Sequence, residues 1–289
     1  MSTIYKHTKV SINENFVLFY IAMNTGQSRL PISRARLASV LRAGKEVVSV
    51  EITSKILGID RLDAAKLLSR WRSQGWLRRV GPGIYAPVPL DLASSDQVVA
   101  DPWVLVPALF SPCYVGGWTA AHHWELTEQL FQEIFVFAAR RVVRKHVTAQ
   151  SARFFVQPTI PERLFGLKTQ WRGSVKVQIS DPARTLVDMI AIPESGGGID
   201  QVSECLKTYL KGKTTDRELL VSYGEQFGNG AIFKRLGFLA DTFGDGELAN
   251  MCRTRLTQGY AKLDPDLSSD RLITAWHLWV PKYWRPQAN

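Results

Sequence analysis

Cysteine is scarce in this chain. Three stand in 289 residues, Cys113, Cys205 and Cys252, and no two form a Cys-x-x-Cys pair. That excludes a disulfide scaffold and a thiolate zinc knuckle, and it fits free thiols in a reducing cytoplasm. Long apolar runs are missing too. Phe16 to Met23 is far too short to cross a bilayer. The start, MSTIYKHTKV, lacks the apolar stretch and small-residue cleavage site of a signal peptide. There is no His-Glu-x-x-His zincin motif, no His-x-Glu with a later Cys-x-x-Cys, and no Gly-rich phosphate loop. Gly196-Gly197-Gly198 lacks the following Lys-Ser/Thr and reads as a flexible joint. No cofactor is expected.

Acidic charge is the other shortage, and it is local. The chain carries a net +10. Residues 1–90 hold 14 Lys and Arg against 5 Asp and Glu, whereas residues 91–289 hold 22 against 21. Nearly all the excess therefore sits on the first third. Solubility alone does not require such segregation. A basic small domain joined to a near-neutral larger one points to a polyanion-binding module with a second function attached. The length agrees with two domains, 1–90 and 91–289.

The first third has the pattern of a winged helix. Apolar residues predict helices over 14–23 and 32–43, the second stopped by Gly44. A short helix over about 51–57 ends at Gly58. Asp60 then caps a longer helix running to Gly75. Short helix, Gly-containing turn, longer helix is the helix-turn-helix order. On the longer helix Ala64, Leu67, Leu68 and Trp71 share the inward face. Leu62, Lys66, Ser69, Arg70 and Ser73 lie opposite, with Arg61 and Arg72 on the flanks. Cations and small hydroxyls suit phosphates and base edges in a major groove, although any solvated helix face carries Lys and Arg. The adjoining hairpin separates the two readings. In GWLRRVGPGIYAPV, strands 76–80 and 84–88 flank Gly-Pro-Gly, a turn whose glycines supply backbone angles other residues avoid. Arg78 and Arg79 stand beside its tip. A helix-turn-helix followed at once by a basic hairpin is a winged helix. The candidate DNA-binding residues are Arg61, Lys66, Ser69, Arg70, Arg72, Ser73, Arg78 and Arg79.

Residues 87–101 read as a linker, followed by a helix near 101–110. In YVGGWTAAHHWELTEQ, His122 and Glu125 share a helical face and invite a metal, but no third ligand is near in sequence. The structural reading is preferred, with Trp118 and Trp124 in the core and Thr119 as a cap. Residues 131–180 are strand-rich, in the runs EIFVFAA, ARFFVQ, LFGLKTQW and SVKVQI. Between the first two, Arg140, Arg141, Arg144 and Lys145 form the one basic cluster of this half. They are either a second anionic contact or a charged edge against aggregation. Asp181 and Pro182 open a helix on which Arg184 and Asp188 are i,i+4 partners. Helices are expected at 199–210, 215–226, 230–243 and 246–257, so 181–257 is helical. The Trp-rich tail packs back onto the body. The fold class is α+β: an N-terminal winged helix-turn-helix, then a larger mixed domain of short strands followed by helices.

The wing GWLRRVGPGIYAPV, the stretch YVGGWTAAHHWELTEQ and the later ISDPARTLVDMI, in this order and spacing, resemble the AbiEi family of bacterial antitoxins. The resemblance spans almost the whole chain. It implies a winged helix that binds inverted repeats in its own promoter, an autorepressor, and a C-terminal domain that neutralises a nucleotidyltransferase toxin of the AbiEii type, directly or through a shared target. Inverted repeats take two copies, which the DNA itself can bring together. It carries over no catalytic residues and no toxin-binding motif. Two rivals are a regulator whose larger domain senses a small ligand, and a nuclease built on Asp181, Asp188 and Lys176.

Overall fold

A computed structural model describes residues 31–44, 46–88, 99–213, 215–282 and 284–285. The helix expected at 14–23 and most of the linker lie outside these residues. The first third is built in the order α1 (Ile32–Gly44), β1 (Val48–Ser49), α2 (Val50–Leu57), α3 (Arg61–Ser73), β2 (Leu77–Gly81) and β3 (Ile84–Pro87). Caps set the helix-turn-helix. The Ser49 hydroxyl accepts from the Ile52 amide, Gly58 ends α2 in the left-handed conformation, and Asp60 accepts from the Asp63 amide at 2.8 Å. The wing hairpin gains a third strand that the sequence did not reveal, so the sheet order is β1-β3-β2. Val40, Val48, Leu68, Trp71, Leu77 and Tyr85 form the small core.

The larger part is organised around a six-stranded mixed sheet ordered β6-β7-β5-β4-β9-β8. It begins with a 3-10 turn at Pro102–Val104 and α4 (Leu105–Phe110), shorter than the helix expected there, then β4 (Cys113–Val115) and α5 (Gly117–His123). Strands β5 (Glu133–Ala138), β6 (His146–Ala149), β7 (Ala152–Pro158), β8 (Leu167–Arg172) and β9 (Val175–Ser180) follow. β4 pairs parallel with β9 and antiparallel with β5, and β5 pairs parallel with β7. Alternation gives the sheet two apolar faces. Tyr114, Phe135, Phe137 and Phe155 point to the side that carries α5 and Trp118. Val115, Val136, Phe154, Val156, Val177 and Ile179 point to the other side.

That second face is covered by α4 and by the wing. Val47, Val80, Ile84 and Ala86 from the first third belong to one buried cluster with Leu105, Val106, Phe110 and the sheet. The stretch LFGLKTQW becomes a strand only from Leu167, since Gly166 adopts a positive φ before it.

Helices α6 (Pro182–Ala191), α7 (Ile199–Lys211), α8 (Arg217–Phe227), α9 (Ala231–Thr242) and α10 (Gly246–Arg253) form the helical half, the last ending earlier than expected. The tail adds β10 (Ala261–Lys262), β11 (Arg271–Ile273) and β12 (Leu278–Val280) in a small sheet ordered β10-β12-β11. Trp276 and Trp284 are buried in the helical core. Two expectations need correction. Thr119 does not cap α5: Gly116 holds that position, and the Thr119 hydroxyl accepts from the Phe135 amide, tying α5 to β5. The Gly196–Gly198 segment is no loose joint, because Gly196 is buried and a β-carbon there would lie 2.6 Å from Val202.

Candidate nucleic-acid interface

Helix α3 sorts its faces as its sequence predicts. Ala64, Leu68 and Trp71 are buried, and Leu67 is half-buried. Arg61, Lys66, Ser69, Arg70, Arg72 and Ser73 are all exposed, together with Leu62. Some of these cations have acidic neighbours. Arg61 lies 3.1 Å from Glu51, and Lys66 lies 3.4 Å from Asp63. Both pairs are solvent-exposed, and such pairs hold by about 0–1 kcal/mol, little enough for a phosphate to displace them. The Ser73 hydroxyl donates to the Arg70 carbonyl, so it is partly engaged by its own helix.

On the wing, Arg79 is exposed and its Nε donates to the Gly81 carbonyl at 3.1 Å, which draws the guanidinium toward the tip. Arg78 is half-buried. Only the edge and tip of the hairpin are open, because Val80 and Ile84 are buried against α4. Gly83 at the tip takes a φ of +70°.

The basic cluster of the larger part lies at the wing. Pro82 lines one pocket with Leu109, Phe110, Arg140, Arg141 and Arg144. Arg140 donates to the Leu109 carbonyl at 2.9 Å, which fixes it against the C-terminal end of α4. Arg141 and Arg144 are exposed. Lys145 lies 3.4 Å from Glu194 and over the Phe155 ring, on the side away from this pocket. The cluster is a loop leading to the edge strand β6, so its distance from the wing in sequence hid its nearness in space.

The other candidate groups are otherwise occupied. Arg184 and Asp188 are fully buried, 2.9 Å apart, and the Tyr114 hydroxyl donates to the same carboxylate. Burial pushes the Asp188 carboxyl up, against the pull of Arg184 and Tyr114. Asp181 accepts from the Arg184 amide and from the Tyr223 hydroxyl, both at 2.8 Å. Lys176 lies over Trp171 instead of near either carboxylate. His122 is exposed, whereas His123 packs edge-on against Trp124. Among the described residues, no three His, Cys, Asp or Glu side chains are grouped to hold a metal.

Residues 36–88 match a family model described as a transcriptional regulator, AbiEi antitoxin. In overall fold the chain is similar to the crystal structure of the RV2827C protein from Mycobacterium tuberculosis. The TM-score is 0.56 at 16% identity, over 88% of this chain and 93% of that one. No curated protein sequence matches. Among the described residues, no helix is long and apolar enough to cross a membrane. The resemblance to the AbiEi antitoxin family is therefore borne out in residues 36–88, the segment that forms the helix-turn-helix and wing of this chain.

Proposed function

We propose that this protein is an antitoxin and autorepressor that binds inverted repeats of its promoter through α3 and the wing, and opposes a nucleotidyltransferase toxin through residues 91–289. Residues 1–90 act as the DNA-binding unit, at work in the cytoplasm. Lys66, Arg70, Ser69 and Ser73 face the major groove, flanked by Arg61 and Arg72, while Arg78 and Arg79 reach the backbone from the wing. Arg140, Arg141 and Arg144 extend this surface, whereas Lys145 is turned away to Glu194. The observation that carries the reading is convergence: Pro82 at the wing tip and three arginines of the other half line one pocket. Binding draws its sequence-independent strength from counterion release and its selectivity from polar side chains against base edges.

The AbiEi match supports the regulator and antitoxin role. The nuclease alternative is weakened by the engagement of Asp181 and Asp188 in a cap and a buried ion pair. The test is the salt dependence of promoter binding. Each phosphate contact contributes about 0.9 to the log–log slope. The triple substitution Arg140→Ala, Arg141→Ala and Arg144→Ala is expected to lower the slope by about 2.7, three contacts' worth. An unchanged slope removes the larger half from the interface, and a flat slope for the wild type ends the DNA reading altogether.

A further inference from the structure

Beside the start of β5, a cleft of about 970 Å³ lies between the C-terminal end of α5, the loop leading into β5, Trp103 and Arg172. Its floor is aromatic. Trp118 and Phe131 stack with ring centroids 4.8 Å apart, and the Trp118 indole donates to the Glu133 carbonyl at 2.8 Å. Leu130 stands at the rim, 79% exposed. Glu125, Glu128 and Glu133 line the same space. Glu133 holds His146 at 3.1 Å, but Glu125 and Glu128 have no cationic partner among the described residues. The one guanidinium present, Arg172, already lies over Trp103, 4.4 Å from its centroid, and faces Asp101. Burial, then Arg172 and His122, hold the His123 pKa below the usual histidine value.

An acidic, aromatic cleft is out of character on a chain of net charge +10. It repels phosphates, so it is no continuation of the DNA surface. We propose that it is a docking site for an arginine or lysine side chain, flanked by an apolar residue, on a protein partner. The cation meets Glu125 and Glu128 while its apolar neighbour covers Leu130 and the Trp118–Phe131 stack. A cation between two carboxylates makes charge-assisted hydrogen bonds, and its apolar neighbour removes Leu130 from water. The proposed antitoxin function enters in one respect only, that the partner is the toxin.

Glu125 supplies a clean test. It follows α5 in the left-handed conformation with a φ of 59°. Its amide donates to the His122 carbonyl, and the Leu126 amide to the Ala121 carbonyl, which is the Schellman pattern. Glycine suits that backbone better than glutamate, so Glu125→Gly removes the carboxylate without straining the fold. The probe is an amidated Leu-Arg-Leu-Arg-Leu peptide, titrated calorimetrically into the full chain beside a twin with citrulline for arginine. The arginine peptide is expected to bind at least tenfold more tightly than its twin. Glu125→Gly and Glu128→Gln should each weaken it severalfold, with an unchanged or higher melting temperature for Glu125→Gly and unchanged promoter affinity for both. Equal binding of the two peptides, no binding of either, or indifference to both substitutions overturns the proposal. Full displacement of the peptide by equimolar spermidine would make this a small-cation site and overturns it as well. A growth-rescue assay with the toxin separates the cleft from the antitoxin function. Rescue without peptide binding sinks the cleft and leaves the antitoxin function standing, whereas peptide binding without rescue supports the cleft and removes the toxin as its partner.

Discussion

Leu109 of α4 stands so close to Gly81 of the wing that a β-carbon on Gly81 would lie 2.6 Å from its Cδ2. The wing is therefore seated on the larger half, and its apolar residues share a buried cluster with α4 and the sheet. Gly81→Val should displace the Leu109 side chain and loosen the seating of the wing. A loss of about 1–3 kcal/mol is expected from overpacking, with weaker promoter binding, because Arg79 and the Arg140 loop lose their register. Urea melts and DNA titrations on the same sample check this. Wild-type stability in the valine variant would mean that the wing is free.

The shared cluster also bears on dissection. A fragment 1–90 exposes Val80, Ile84 and Ala86, which are buried in the full chain. It should still bind DNA, with steep salt dependence, but melt below the intact protein. Fragment 91–289 should lose promoter repression and retain part of its protection against the toxin. Paired reporter and growth-rescue assays at matched protein levels decide the matter. Rescue by the first fragment and not the second would reverse the assignment of functions.

On α3, Lys66→Ala and Arg70→Ala should weaken operator binding and leave the melting temperature unchanged, since both side chains are exposed. Trp71→Ala should cost about 3–5 kcal/mol, as for other buried aromatics. Trp71 is fully buried, and its indole N–H has no partner among the described residues. Trp71→Phe should accordingly cost much less than alanine. A stable Trp71→Ala protein would contradict the helix register.

The Arg184–Asp188 pair should behave as a buried pair. Arg184→Met leaves a carboxylate without its cation in a fully buried site, at a cost of about 3–5 kcal/mol. Adding Asp188→Leu should recover much of that loss. Denaturation of the two single variants and the double variant measures the coupling, and simple additivity would show that the pair is energetically inert.

The thiols give a pH-linked prediction. Burial pushes Cys113 up to about 12, Cys205 to about 11 and Cys252 to about 12. Thiolate is the reactive form, and an unfolded thiol titrates near 8.5, so folding suppresses alkylation at pH 8. Iodoacetamide with mass readout should find the native protein slow at all three sites and the urea-unfolded chain fast. Cys113 is only half-buried, so rapid labelling of native Cys113 would contradict its raised pKa.

Local chemistry made much of this protein legible in its sequence. The α3 face, the caps at Asp60 and Asp181, the Gly-Pro-Gly wing and the strand alternation of β5 and β7 each depend on residues a few positions apart. Backbone geometry and 3.6- or 2-residue periodicity fix such features before any tertiary contact forms. Charge segregation likewise marked the first third without any knowledge of the fold. Tertiary structure alone decided four other matters. It paired β1 with β3, two elements separated by both helices of the helix-turn-helix. It turned Arg184 and Asp188 from an expected helix pair into a buried triad with Tyr114, seventy residues upstream of Arg184. It brought the Arg140 loop beside Pro82, and it opened the cleft that Glu125 shares with Trp103 and Arg172. Each depends on which strand lies next to which, and a sequence read one window at a time does not contain that order. β4 sits between β5 and β9, so a three-residue strand with almost no signal of its own sets the layout of both sheet faces.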